Sequence, residues 1–303
     1  MRLSREFRGY LFAIGSNLAA AVGSIASKVL IDATSVETTA LLWFVAGAVL
    51  TGTVQMAFRS GIHHDSLARN ARTYLQISLV MTVAALAWFA GLKLAGPSNV
   101  AFIGQLGIVM GVLMGAIFLR ERITWLDGIG GAVATVGAMV ITYRSGKAVM
   151  LGVVLTLVNA FGWALQTLFV KQHVAAIDKL ELVFVRSLIA AGGIFIFSFF
   201  SGGLTWPKTW LLPAFFLGSA VGYVLVNLLI YQALDYADLA KVSMLSVIGP
   251  PAVMVCTFIA FGEIPGVQQL FGGFLILVGV SLILARPFWA LSHRTRPQPN
   301  TTR

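Results

Sequence analysis

The feature that most constrains this chain is the recurrence, along its whole length, of apolar runs of about 20 residues, the length an α-helix needs to cross a bilayer core. Ten can be marked, at 8–30, 38–58, 73–93, 97–119, 124–144, 148–170, 180–200, 210–233, 239–261 and 266–286. They are continuous, so they read as helices; barrel strands alternate in character over about ten residues. Only 11% of the residues are charged, against about a quarter in soluble domains. What lies outside the runs is short connections, the longest from Arg59 to Arg72, and a polar stretch after Pro287. No soluble catalytic, nucleotide-binding or nucleic-acid-binding domain fits in those pieces.

Arg2, Arg5 and Arg8 precede the first run as they would in a secretory leader. That run, however, continues to Leu30 and has a counterpart later in the chain, so it reads as a first span. The net charge of +10 is read as topology rather than as a nucleic-acid patch. Of the 21 Lys and Arg residues, a cytoplasmic N-terminus places fifteen on the cytoplasmic side. Only Lys28, Lys93, Arg144, Lys147 and Lys208 fall on the other side, and Arg186 lies within a span. Both termini are therefore expected in the cytoplasm, in a multi-pass protein of the cytoplasmic (inner) membrane. The single cysteine, Cys256, sits in an apolar run and excludes a disulfide framework or cysteine metal cluster.

Sliding the sequence against itself by 142 residues aligns its halves. Leu92 falls on Leu234, Ala95 on Ala237, Val100 on Val242, Gly107 on Gly249, Glu121 on Glu263, Gly130-Gly131 on Gly272-Gly273 and Gly137 on Gly279. A shift of 143 pairs Gly9 with Gly152 and Lys28 with Lys171. Each copy holds five spans, an odd number, so the second must enter the membrane from the opposite side. The predicted fold class is thus an all-α integral membrane protein of ten transmembrane helices, arranged as two inverted five-helix repeats. The expected division is 1–145 for the first repeat, 146–286 for the second and 287–303 for a disordered cytoplasmic tail. Inverted repeats are a common architecture of secondary transporters, with the substrate held near the midplane between the halves.

With these residues in hand, each half resembles one copy of the EamA repeat, and the chain resembles the ten-span members of the drug/metabolite transporter superfamily. The resemblance rests on Gly91-Leu92-Lys93 and Ala233-Leu234-Asp235, on long spans ending at Arg120-Glu121 and Gly262-Glu263, and on a Gly-rich final span in each half. It covers about residues 9–286 and implies a small-molecule transporter without specifying the substrate. The family often has Arg early in the second span of a repeat; Arg186 fits that place, whereas Trp43 occupies it in the first half.

Candidate transport residues are polar or aromatic groups at mid-depth, which lipid disfavours unless they are paired or face a cavity. They are Asn17, Trp88, Gln105, Asn159, Trp163, Gln166, Tyr223, Asn227 and Tyr231. Interhelical hydrogen bonding is the competing reading for each. Arg186 is either a guanidinium reaching back to the membrane surface or one that binds an anionic substrate group or an internal partner. Gly249, Pro250 and Pro251 mark a kink and candidate hinge in the ninth span, because proline removes backbone donors. Small-residue stripes at Gly107, Gly111 and Gly115, and at Ala19, Gly23 and Ser27, indicate close helix packing, either within a half or as a sliding contact between halves.

No deep carboxylate or histidine stands out, which favours facilitated diffusion or exchange over tight proton coupling. Hydrolase, zinc-protease and phosphate-loop motifs are missing, so no catalytic residue, metal or cofactor is expected. The expected partners are a small-molecule substrate and the lipid bilayer, with no nucleic acid, in a monomer or homodimer. The reading is a secondary transporter moving a small, partly aromatic or amphipathic metabolite such as an amino acid by alternating access, as exporter, facilitator or exchanger. A flippase for a lipid-linked intermediate is the alternative. Inversion has a direct consequence: in a Cys256→Ser background, Glu121→Cys and Glu263→Cys are expected to react with a membrane-impermeant maleimide from opposite faces. Labelling of both from one face would remove the inverted duplication.

Overall fold

The computed structural model describes residues 5–58, 64–120, 123–143, 146–173, 179–237 and 239–294. Its helices are α1 (Arg5–Ala33), α2 (Val36–Phe58), α3 (His64–Ala95), α4 (Pro97–Gly104), α5 (Leu106–Leu119), α6 (Trp125–Thr142) and α7 (Lys147–His173). They continue as α8 (Lys179–Ser201), α9 (Leu212–Ser219), α10 (Val226–Tyr236), α11 (Leu239–Leu245), α12 (Gly249–Phe261) and α13 (Val267–Arg294). No strand occurs among the described residues. Ten spans are long and apolar enough to cross a membrane, each coinciding with a run read from the sequence. Three of them are not simple α-helices. The fourth, α4 and α5, is interrupted at Gln105. The eighth joins α9 to α10 through a π-helical stretch at Ala220–Leu225, and the ninth joins α11 to α12 through a 3-10 turn at Ser246–Ile248. Glu121 lies outside the described residues, and α13 runs past Pro287 to Arg294, into the stretch read as tail.

The offset of 142 reappears in the geometry. α5 ends at Arg120 with φ 54° and α12 at Gly262 with φ 67°, both left-handed caps at repeat-equivalent positions. Gly9 of α1 abuts Ala237, and its mate Gly152 of α7 abuts Ala95, the mate of Ala237. Gly249 abuts Asn17 of α1, and its mate Gly107 abuts Ala160 of α7.

The most extensive contact between helices is that of α6 with α13. A Cβ placed on Gly130 would stand 2.5 Å from the Gly279 carbonyl oxygen, and one on Gly137 2.5 Å from that of Gly272. The reverse holds as well, with a Cβ on Gly272 lying 2.6 Å from the Gly137 carbonyl. Each glycine thus meets the repeat-mate of the other, with numbers rising along one helix as they fall along its partner. Such a reciprocal antiparallel contact is what a twofold axis in the membrane plane produces. In lipid no hydrophobic force drives helices together, so backbone-to-backbone packing of this kind does the holding.

Large contacts also pair α1 with α10, α3 with α7 and α2 with α8, each joining one half to the other. The small-residue stripes belong to this set. Gly23 lies against the backbone of Gly222 and Gly107 against Ala160, so the packing they provide is between halves rather than within one. Gly111 meets nothing within 4 Å.

Gly137→Leu is expected to cost at least about 1–3 kcal/mol by forcing α6 away from α13, seen as a lower thermal midpoint and loss of monodisperse protein in detergent. Gly128→Ala, at a position where an added Cβ meets nothing within 4 Å, is the tolerated control.

Candidate functional site

The site begins with a cation in an apolar span. Arg186 of α8 is 1% exposed. Its Nε donates to the Tyr223 hydroxyl at 3.0 Å and its Nη2 to Asn227 Oδ1 at 3.0 Å. The guanidinium carbon lies 5.1 Å from the centre of the Tyr223 ring. Asn227 is fixed in turn, its Nδ2 donating to the Tyr223 carbonyl at 2.7 Å. Ser187, which donates to the Val183 carbonyl at 2.7 Å, stands 3.0 Å from the Tyr223 hydroxyl. Arg186 therefore does not reach back to the membrane surface; fixed donors and acceptors on α8 and the eighth span hold it inward.

Local backbone explains how Tyr223 gets there. It lies in the π-helical stretch of the eighth span, and such stretches, which widen a helix locally, are frequent at functional sites. Gly47 of α2 makes room, since a Cβ there would stand 2.9 Å from the Tyr223 ring. Phe44, one turn earlier on α2, packs edge-on against the same ring with centroids 5.3 Å apart.

A polar layer continues from this cluster across the molecule. Ser16 Oγ of α1 donates to the Val226 carbonyl at 3.0 Å, which brings Asn17 level with Asn227. Asn17 anchors its amide on the Ala13 carbonyl at 2.8 Å. Its Oδ1 lies 3.0 Å from where a Gly249 Cβ would stand, with Gln105 Nε2 3.9 Å from the same point. Gln105 sits in the break of the fourth span and donates from Nε2 to the Ser246 carbonyl, at 3.2 Å, in the break of the ninth. These breaks are repeat-equivalent, since Gln105 maps onto Val247. The kink expected at Pro250-Pro251 thus falls one turn earlier, with the prolines in the first turn of α12, where their missing donors cost nothing.

Other candidates stand elsewhere. Asn159 is buried and donates to the Ala84 carbonyl at 2.9 Å, joining α7 to α3. Trp88 packs edge-on against Phe89, 4.9 Å between centroids, beside a cluster of Leu30, Ile31, Trp43, Phe215 and their neighbours. Tyr231 is half-buried against that cluster and within electrostatic reach of Arg186. Trp163 of α7 is 44% exposed and so does not join the buried polar groups. Gln166, one turn further, is buried, and its Oε1 finds no hydrogen-bond partner among the described residues. Lys28 forms an i,i+4 ion pair with Asp32, the one pair seen among the described residues; the Lys171 side chain lies outside them.

At the end where α1 finishes and α2 begins, the turn between them is tied to the segment that follows α8. Ser35 Oγ donates to the Gly203 carbonyl at 2.8 Å and Thr38 Oγ1 to that of Thr205 at 2.9 Å, while the Thr205 N–H donates back to Thr38 Oγ1 at 2.9 Å. Beneath this latch α4 packs on α12.

Two features escaped the sequence. Glu181, in the first turn of α8, is 2% exposed and accepts from the Tyr74 hydroxyl at 3.5 Å. This buried carboxylate lies at the end of its span rather than at mid-depth. Trp43, the mate of Arg186 at offset 143, is buried with its ring against Gly218 and Gly222 and edge-on to Phe89 at 6.0 Å.

A family model described as the EamA-like transporter family matches residues 7–143 and 150–285, one match per repeat. A protein of Streptantibioticus cattleyicolor named "Probable terminal-alkyne amino-acid exporter" is 30% identical over 186 residues, covering 59% of this chain and 61% of that protein. The match thus spans about three fifths of that relative's length. An uncharacterised transporter of Bacillus subtilis is 25% identical over 250 residues, covering 78% of this chain and 80% of the relative. A solved crystal structure superposes with a TM-score of 0.61 at 19% identity, covering 94% of this chain and 97% of its own, which shows the fold.

If the Tyr223 hydroxyl holds the guanidinium, Tyr223→Phe leaves a buried N–H unpaired. It is expected to cost about 1–3 kcal/mol, read as a lower thermal midpoint in detergent. Tyr231→Phe should cost less than half of that.

Proposed function

The chain belongs to the EamA-like transporter family, and on that premise we propose that it exports a small amphipathic metabolite of amino-acid type across the cytoplasmic membrane. Both termini face the cytoplasm, as the excess of Lys and Arg on that side supports. The observation that carries this reading is the polar layer from Arg186 through Asn227 and Asn17 to Gln105, which passes between two broken spans. Broken helices at mid-membrane expose backbone carbonyls, and those are tolerated where they line a cavity or are buried in protein. Aromatic rings from Phe44 and Tyr223 flank the same layer and suit an apolar side chain. The name of the relative from S. cattleyicolor, an amino-acid exporter, supports both the amino-acid class and the outward direction.

Mechanism follows from the two antiparallel halves. The Ser35–Gly203 and Thr38–Thr205 bonds tie the α1–α2 turn to the segment after α8 at the outer end. Substrate enters from the cytoplasmic side and displaces the amide contacts of the layer. It leaves when the outer bonds part and the inner halves of the spans approach. The α6–α13 contact stays fixed as the axis of this exchange. The two breaks let α5 and α12 swing independently of α4 and α11, and Gly249, Pro250 and Pro251 keep the ninth span bent.

Purified protein in liposomes loaded with a pool of the twenty common amino acids is expected to exchange at least one of them for external label. Pro250→Ala with Pro251→Ala should reduce that exchange by about tenfold at equal reconstituted protein. No exchange of any amino acid, with transbilayer movement of a lipid-linked sugar instead, would replace this reading with a flippase.

A further inference from the structure

The Arg186 cage carries an unsettled charge. Three guanidinium nitrogens are buried, two are occupied by neutral partners, and Nη1 has no hydrogen-bond partner among the described residues. No carboxylate of the described residues pairs with it: the ion pair seen there, Lys28–Asp32, lies at the end of α1. Glu181 shares α8, but its Oε2 accepts from Tyr74 of α3. An arginine in a span is costly and is normally compensated by a partner of opposite charge or by backbone carbonyls. Tyr223 and Asn227 supply hydrogen-bond acceptors but no negative charge.

We infer that the missing charge is brought by the cargo: Arg186 binds the carboxylate of the transported molecule through Nη1, so the site takes carboxylates and rejects the corresponding esters and amines. This rests on the reading of the chain as an amino-acid-type transporter and narrows it to one recognised group. The planar guanidinium suits the task, because it can present two parallel N–H groups to the two carboxylate oxygens while Nε stays tethered to Tyr223. Tyr223 stands on the π-helical stretch, next to Asn227, so a shift of that stretch uncovers or covers the cation. In the conformation seen here the cage is shut, as an alternating-access site is between openings. A carboxylate arriving in the site makes the buried cation neutral overall, and so lowers the cost of carrying both through the occluded state. Trp43 at the mate position offers no second cation, so one carboxylate is taken per cycle.

The test is binding to the intact wild-type protein in detergent, followed by thermal shift and tryptophan fluorescence, for two matched series. These are L-norleucine, its methyl ester and n-pentylamine, and L-phenylalanine, its methyl ester and 2-phenylethylamine. The free acid of at least one series is expected to bind, with its ester and amine weaker by about tenfold or more. Arg186→Gln should abolish that preference, and Arg186→Lys should keep part of it. Equal binding of acid, ester and amine to the wild type overturns the carboxylate assignment and leaves the transporter reading standing. Binding of no member of either series, together with failure of the amino-acid exchange assay, overturns the transported class itself. Because the decisive comparison is made on the wild type, a misfolded Arg186 variant does not rescue the proposal.

Discussion

Everything in this molecule depends on backbones of opposite halves touching directly. Lipid tails are as apolar as leucine, so burying apolar side chains gives little drive for one span to leave lipid for another, and contact quality must supply it. At the α6–α13 crossing the contact is glycine on carbonyl in both directions. Gly9 against Ala237 and Gly152 against Ala95 repeat the device where α1 meets the eighth span and α7 meets α3. Because each of these contacts has a repeat-mate, a change that loosens one end of the molecule is matched by an equivalent change available at the other. That is the structural condition for two conformations of similar energy, one open to each side.

The interior polar groups follow from the same environment. A helix broken in lipid leaves backbone groups that must find partners inside the protein. The break at Gln105 and the break at Ser246 share one partner: the Gln105 amide donates to the Ser246 carbonyl. One side chain thereby ties together two broken spans. The bond joins groups of adjoining halves at 3.2 Å and is made between neutral groups, so breaking it strands no charge.

How much of this was legible beforehand depended on whether the cause was local. The ten spans follow from apolar length, and the duplication from Gly and Ala positions at a constant offset, so both can be read directly. The ninth-span bend has Pro250 and Pro251 to announce it, though the irregular turn itself lies one turn upstream. The fourth-span break has no such signal in Ile103-Gly104-Gln105-Leu106, and only the repeat offset from the ninth span would have pointed to it. For Arg186 the sequence left a surface-reaching and an inward reading open, because its depth is set by Tyr223 and Asn227 from another span and no pattern within α8 reports them. The burial of Glu181 likewise depends on Tyr74, more than a hundred residues away in sequence. Trp163 was singled out by depth alone, and depth does not report which residues of a helix the neighbouring helices cover.

The two repeats are not identical at the centre of the molecule. Where the first repeat has Trp43 packed against Gly218 and Gly222, the second has Arg186 packed against Tyr223 and Asn227, and these residues lie on consecutive turns of one span. A duplicated scaffold with identical centres would offer two equal half-sites, suited to a symmetric ligand. Replacing one cation by an indole leaves a single charged pole with an aromatic wall beside it. Such a site fits a molecule with one anionic end and one apolar end. The same substitution avoids a second buried positive charge, which in a low-dielectric interior would repel the first with little screening. The asymmetry is therefore tolerable to the fold because it removes a charge, and if the cargo carries a carboxylate, as proposed, it would orient that cargo in the site.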